Sequence, residues 1–416
     1  VQRTPLSRDV RRLVLGNTLS ALGTGFTLPF LLIYLSRVRG FPVQTAGFVI
    51  ALLGLVGLAS VPLMGALSDR VGPWRVLVGA LALEAVGTAG LAGVTRPWHA
   101  FVVISVLAVG GAATWPAQAA LIAALVPSEQ RPRVYAVQFA LLNLGIGIGG
   151  AVSGLLVDVS RPRTFQLIYV IDALSFVVYA VLLLRIRHVS VAPERPATSA
   201  GYRDVGRDRV FLRVCGVTLL LSIAGYGQVV AGFPAFVSDV AHVSTRAIGL
   251  AFAANTAVIV AAQLFMQRRL QGRRRTRALA GVAAIWAVSW LVIGSSALVR
   301  GTWSAAAVIA GLGLFGLGET LWAPTGSSLV NDIAPPHLRG RYNAVSSVTW
   351  QLSAVIGPVI AGGLIGARLP AVFIAGLVVL LVVVAVLAVG LERYLSPAQN
   401  GLPALDPLPG EVLPVP

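Results

Sequence analysis

The sequence contains no lysine; all 32 basic residues are arginine. A Gly-x-x-x-x-Gly-Lys-Ser/Thr loop to cradle phosphates is therefore impossible, and transport powered by ATP within this polypeptide is excluded. A single cysteine, Cys215, rules out an intrachain disulfide. The 4 histidines (His99, His188, His242 and His337) have no metal-ligand spacing, so no metal site is expected. Charged residues make up only 11% of the chain, far below the roughly one quarter of soluble domains. No constellation of an enzyme is present, and none is expected.

What fills the chain instead is apolar: 56% of its 416 residues are hydrophobic, and the mean hydropathy is +0.84. Stretches near the ~20 residues that cross a bilayer lie at about 11–35, 43–66, 74–95, 98–126, 133–158, 164–187, 209–237, 244–267, 277–299, 302–333, 340–366 and 369–391. These twelve runs predict an all-α membrane protein with twelve transmembrane helices. A strand barrel is excluded, because the runs exceed a ~10-residue membrane strand and do not alternate. Bends or breaks are expected at Pro29, Pro116, Pro234, Pro324 and Pro358. With the N-terminus inside, 24 of the 32 arginines fall on inside segments and 8 outside. The positive-inside rule thus predicts cytoplasmic termini and an even number of spans. The densest run, Arg268 to Arg277, has no interleaved aromatics, so the net charge of +17 does not point to nucleic acid. The first span lacks a small-residue cleavage site, and no removable signal peptide is expected. The composition resembles a high-GC bacterial gene product, which places the expected location in a bacterial inner (plasma) membrane.

The chain repeats itself. A shift of 208 residues lays Pro116 on Pro324, Pro127 on Pro335, Arg131 on Arg339, Arg133 on Arg341, Gly149 on Gly357 and Gly154 on Gly362. Two six-helix halves are predicted, 1–187 and 209–394, joined by a polar cytoplasmic linker at 188–208 and followed by a Pro-rich disordered tail at 395–416. Six spans is an even number, so both halves insert the same way. Such parallel repeats are associated with a midplane site between two rocking halves.

Between spans two and three runs Gly65-Ala-Leu-Ser-Asp-Arg-Val-Gly-Pro-Trp-Arg75. Gly65 and Gly72 permit a tight turn, while Arg70 and Arg75 anchor it to the inner face. This stretch resembles the signature loop of the major facilitator superfamily, with Pro73 and Trp74 in place of the usual basic pair. Together with the spans, the repeat and the linker, the resemblance covers essentially the whole chain. It implies the major facilitator fold, with spans one, four, seven and ten lining a central cavity and three, six, nine and twelve outside. It also implies a cytoplasmic gate in which Asp69 latches to the start of span eleven near Arg339 and Arg341; a plain topology-fixing turn is the alternative.

The pairs Gly149/Gly154 and Gly357/Gly362, with Pro358, resemble the glycine motif of antiporters in this superfamily, although its proline falls in the second copy. Small residues that let helices pack closely explain them equally well.

Acids inside spans are more informative. Holding one at the bilayer centre costs about 2.5–3.5 kcal/mol on the insertion scale, so each is a functional candidate. Glu319 in span ten is cavity-facing by the resemblance, with Phe315 and Trp322 on its face at i−4 and i+3. The bland alternative is a structural Glu319 bonded to Gln228 or Asn17. Glu84 and Asp172, on spans three and six, are candidates for a second proton path or for structural pairing. Asp158 and Asp332 sit at span ends and are expected to be solvated or paired with arginine. The expected cavity lining adds Asn17, Trp115, Gln118 and Gln228, with Thr24, Thr27, Asn255 and Gln351. The shift of 208 sets Gly111 opposite Glu319, which makes the acid an asymmetry between the halves.

These readings converge on a secondary transporter resembling bacterial drug:proton antiporters, with no cofactor and the proton gradient as its energy source. Its expected partners are a small amphipathic or cationic substrate, protons and the lipid bilayer, and it is expected to act as a monomer. A lipid or glycolipid flippase, a metabolite transporter, or a non-transporting membrane sensor or scaffold are the alternatives.

Overall fold

The computed structural model describes residues 7–126, 131–186, 202–270, 272–335 and 338–402, and their regular structure is helical throughout. Twelve long helices follow in chain order: α1 (Arg8–Thr27), α2 (Val43–Val71), α3 (Pro73–Ala92), α4 (Pro97–Leu125), α5 (Arg131–Leu156), α6 (Pro162–Leu184), α7 (Arg209–Ala224), α8 (Thr245–Leu270), α9 (Arg275–Ser295), α10 (Thr302–Ile333), α11 (Arg339–Gly366) and α12 (Pro370–Gly390). Each belongs to a segment long and apolar enough to cross a membrane. The chain is a multi-pass membrane protein.

Helix starts follow local chemistry. Four of these helices, α3, α4, α6 and α12, open on proline, whose fixed φ suits the first turn and whose missing N–H is not needed there. Ser7 Oγ accepts from Val10 N at 3.3 Å to cap α1. Asp208 Oδ1 accepts from the N–H groups of both Val210 and Phe211 to cap α7. Its other oxygen accepts from the Tyr342 hydroxyl at 2.8 Å, so the end of the linker is tied to α11.

Two of the five expected proline bends are true breaks. Pro29 lies in a short 3-10 turn after α1, and Pro234 in the one-turn piece Gly232–Ala235 beyond α7. Both spans then finish in a five-residue π-helical turn, Tyr34-Leu-Ser-Arg-Val38 and Phe236-Val-Ser-Asp-Val240. At Pro116, Pro324 and Pro358 the helices continue through, as α10 does for 32 residues. In a span the neighbouring helices and polar side chains re-satisfy the carbonyl that proline frees, so a proline need not end the helix.

The two halves meet mainly at the face opposite the termini. Gly154 on α5 faces Gly249 on α8, where an added Cβ would lie 2.7 Å from the Gly249 Cα. Gly362 on α11 faces Gly47 on α2, with a Cβ at 3.2 Å from the Gly47 Cα. Their partners one turn or so earlier do a different job: Gly149 packs on Leu22 and Gly25 of α1, and Gly357 on Gly227 beyond α7, each within its own half. The 208-residue repeat is thus a repeat of packing duties, one glycine closing a half and the next joining the halves. Arg37 Nε reaches Asp239 Oδ1 at 2.6 Å across the same face. Phe233 and Phe252 of the second half stack edge-on at 5.7 Å and share one apolar cluster with Phe26 and Phe30 of the first. Toward the terminal face the apolar side chains of the crossing helices are exposed instead, Leu63 of α2 and Phe139 of α5 among them.

The tail begins differently from expectation. Residues 396–402 form turns rather than disordered chain, because Asn400 is buried and serves as a cap for α9: its backbone carbonyl accepts from Arg275 N at 2.9 Å and its side-chain oxygen from Thr276 N at 3.0 Å. The linker likewise ends in a helical turn, Tyr202–Val205. Of the span-end acids, Asp332 pairs with Arg275. Asp158 accepts from the Ser160 hydroxyl at 2.7 Å and from its N–H, which with Arg161 nearby holds the carboxyl below the usual carboxylate range.

Candidate functional site

Glu319 is set by its own neighbours in sequence. In Gly316-Leu-Gly-Glu319, Gly316 lets α8 approach until Asn255 O is 2.7 Å from where a Cβ would stand, and Gly318 makes room for the Trp286 indole. Asn255 Nδ2 then donates to Glu319 Oε2 at 2.7 Å. The Tyr226 hydroxyl, from the short helix after α7, faces the carboxylate electrostatically without a hydrogen bond of normal geometry. Around them stands an aromatic group. Trp286 and Phe315 stack in parallel at 4.5 Å, and the Tyr226 ring lies 5.4 Å from Trp286 and 4.6 Å from Trp350. Its bonding partner comes from another helix, so Glu319 is coupled to α8, and it keeps partial exposure.

Several expected lining residues are elsewhere. Phe315 is buried behind Glu319, its backbone carbonyl accepting from Trp286 Nε1 at 3.0 Å, whereas Trp322 is partly exposed. Gln228 is fully buried. The helix breaks at Gly225, and Gln228 Nε2 donates at 2.9 Å to the Ile223 carbonyl that the break leaves without its helical partner. Gln118 and Asn17 are buried within the first half and neither reaches Glu319. The expectation of Gln228 or Asn17 as its partner is replaced by Asn255. Trp115 is 53% exposed and, at i+4 from Gly111, extends the cavity-facing stripe of α4.

Glu84 and Asp172 come together. Helices three and six were expected outside, yet both acids turn inward and line one cavity of about 280 Å³ together with Thr24, Thr27, Gly111 and, from the second half, Gln351. Glu84 Oε2 accepts from the Thr114 hydroxyl at 2.7 Å, and Asp172 Oδ2 from the Thr27 hydroxyl at 2.6 Å. Close packing of α3 on α4 allows this: Gly110 has Ala80 O at 2.7 Å from its Cβ position, and Gly87 has Leu107 N at 2.8 Å. Gly111 then leaves its space to Glu84, whose Oε1 stands 3.6 Å from the position a Cβ would take. Gly111 is the repeat partner of Glu319. The halves therefore differ in sequence but place a carboxylate at corresponding levels, one from α10 itself and one delivered past α4 by α3.

At the loop after α2, Gly72 adopts φ +91°, the left-handed region that favours glycine. Trp74, one of the two residues departing from the usual loop, donates from Nε1 to Leu183 O at 2.8 Å and fastens the loop to α6. Arg70 and Arg75 are exposed and Arg341 is partly so. The side chains of Asp69 and Arg339 lie outside the described residues, and with them the expected latch.

Sequence reading missed Tyr226, Trp286, Trp350 and Thr114. The one signal for the first was its glycine frame, Gly225-Tyr-Gly227, in an otherwise apolar span.

The sequence profile described as Major Facilitator Superfamily matches residues 13–322 and 302–413. The chain is 25% identical over 363 residues to the MFS-type transporter YqjV of Bacillus subtilis (strain 168), covering 84% of each. It is 27% identical over 361 residues to the multidrug resistance protein MdtH of Aeromonas hydrophila, covering 85% of this chain and 86% of that one. Among solved structures, the nucleoside transporter NupG superposes with a TM-score of 0.71 at 15% identity, over 93% of this chain and 100% of that chain. A POT family transporter in complex with 5-aminolevulinic acid superposes with 0.78 at 14% identity, over 93% and 96%. At those identities the likeness to the solved structures is one of fold.

Proposed function

The chain belongs to the Major Facilitator Superfamily, and on that premise we propose that this transporter exports amphipathic or cationic small molecules in exchange for protons, by alternating access. The observation that carries the reading is Glu319, a partly exposed carboxylate within a span, held by Asn255 from another helix and set beside aromatic rings. A group so placed can take up a proton, and its charge state alters an interhelical bond. That couples protonation to helix position. A proton crossing 100 mV releases about 2.3 kcal/mol, enough to drive a modest uphill gradient.

The substrate class follows from the lining. The first-half cavity is mostly apolar with two acids, and Trp115 and Trp350 present exposed ring surface. Such surfaces suit apolar bodies and attract cations. The multidrug resistance name of the MdtH relatives supports this reading. We place the protein in a bacterial plasma membrane with both termini on the cytoplasmic side, in keeping with the arginine distribution.

The test is efflux of a lipophilic cation from vesicles under an imposed proton gradient, comparing the native chain with Glu319→Gln. A tenfold or greater loss of gradient-driven efflux is expected; unchanged efflux sinks the role of Glu319. Scrambling of a labelled lipid without cation movement by the native chain would replace export by lipid flipping.

A further inference from the structure

Six arginines lie between positions 268 and 277, and they divide into two groups. Arg274 and Arg277 bond Glu392, and Arg275 bonds Asp332. With the Asn400 cap these pairs fix the start of α9 and the turn before it, where Gly272 adopts φ +69°. Arg268, Arg269 and Arg273 are exposed and have no acidic partner among the described residues.

Their position on α8 is specific. Leu250, Ala257, Ala261, Phe265 and Arg268 are all exposed and recur at helical spacing along one stripe. The residues that contact the rest of the protein, Gly249 toward α5 and Asn255 toward α10, lie on the other side of the helix. The stripe therefore faces the acyl chains. A helix of 26 residues rises about 39 Å, more than the ~30 Å hydrocarbon core, so its last turn stands at headgroup depth. There the Arg269 guanidinium lies over the exposed Phe265 ring, 4.9 Å from its centroid. Beside the turn, a cleft of about 330 Å³ is bounded by Arg273, Ser328 and Gly401.

We propose that Arg268, Arg269 and Arg273 hold the phosphate of an anionic phospholipid whose acyl chains lie along the exposed stripe of α8. Clusters of arginine immediately beyond a span attract anionic headgroups. Here a separate set of ion pairs ties down the start of α9, so the three exposed arginines, without an acidic partner among the described residues, are carried on a held backbone. Topology alone requires the charges but not that held backbone, nor the apolar track above it.

The experiment is native mass spectrometry and thermal unfolding of the full chain in neutral detergent, titrated with phosphatidylglycerol, phosphatidylcholine or inorganic phosphate. Phosphatidylglycerol is expected to be retained in preference to phosphatidylcholine and to raise the unfolding temperature. At roughly fivefold per charge, Arg268→Gln/Arg269→Gln/Arg273→Gln loses about a hundredfold in apparent affinity. Arg269→Gln alone loses about fivefold and stands in if the triple variant fails to fold. Arg393→Gln, an equal loss of charge at another exposed arginine near the same face, is expected to bind as the native chain does. Equal losses in Arg269→Gln and Arg393→Gln overturn the proposal, as does native binding by the triple variant. Stabilisation by inorganic phosphate matching that by the lipid would assign the site to a soluble anion and equally overturn it.

Discussion

Arg37 and Asp239 occupy the same place in the two halves, the fourth residue of the π-helical turn that ends the first and seventh spans, and they bond each other at 2.6 Å. The Arg37 guanidinium also donates to Ser238 O. The pair spans the boundary between the halves at the face where they are closed. It is partly exposed, so it is worth up to about 1 kcal/mol rather than the full Coulomb energy. Asp239→Asn is expected to raise the population open to that face by up to about fivefold, read as distances between spin labels on the first and seventh spans. Exchange of the charges, Arg37→Asp with Asp239→Arg, restores the native distribution; a single variant with unchanged distances removes the pair from the closing mechanism.

Tyr226→Phe removes the hydroxyl that faces Glu319 while leaving the ring packing against Trp286 and Trp350 in place. A polar contact of this kind contributes up to about 1 kcal/mol, so gradient-driven efflux should fall by up to about fivefold with thermal stability nearly unchanged. Native efflux from this variant would leave Asn255 as the only partner that matters.

Glu84 and Asp172 line one cavity, so their effects on transport should not add. Glu84→Gln and Asp172→Asn are each expected to lower efflux, and the double variant to do little more than the worse single. A coupling of about 1 kcal/mol in the double-mutant cycle is expected; strict additivity would show that the two act independently.

Two glycines in different surroundings should respond differently to the same methyl group. At Gly57 no atom lies within 4 Å of an added Cβ, and Gly57→Ala should leave thermal stability unchanged. At Gly154 the Cβ meets the Gly249 backbone at 2.7 Å, and Gly154→Ala should destabilise the closed interface by about 1–3 kcal/mol. Equal melting temperatures for the two variants would show that α5 and α8 are not in contact in the membrane.

Much of this was legible from residues alone, for definable reasons. Span number follows from long apolar runs, and the internal repeat from identities such as Pro116 with Pro324, because both depend only on local sequence. The acids could be found for the same reason. Their partners could not. Glu84 stood open between a proton path and structural pairing on an outer helix, and its direction is decided by how closely Gly87 and Gly110 let α3 and α4 approach, a tertiary fact. Gln228 looked like a cavity amide until the break at Gly225 supplied a carbonyl for it to satisfy. Asn400 looked like disordered tail because nothing within the tail itself reveals the uncapped N–H groups of α9.

The unlike charges at positions 37 and 239 have a consequence for how such a chain can be assembled. Two copies of the first half would set arginine against arginine at the closed face, and two copies of the second would set aspartate against aspartate. Neither half can substitute for the other as its own partner. A transporter rebuilt from separately expressed halves should therefore recover only as the mixed pair, which makes linkage in one polypeptide a guarantee of correct pairing as well as of equal numbers.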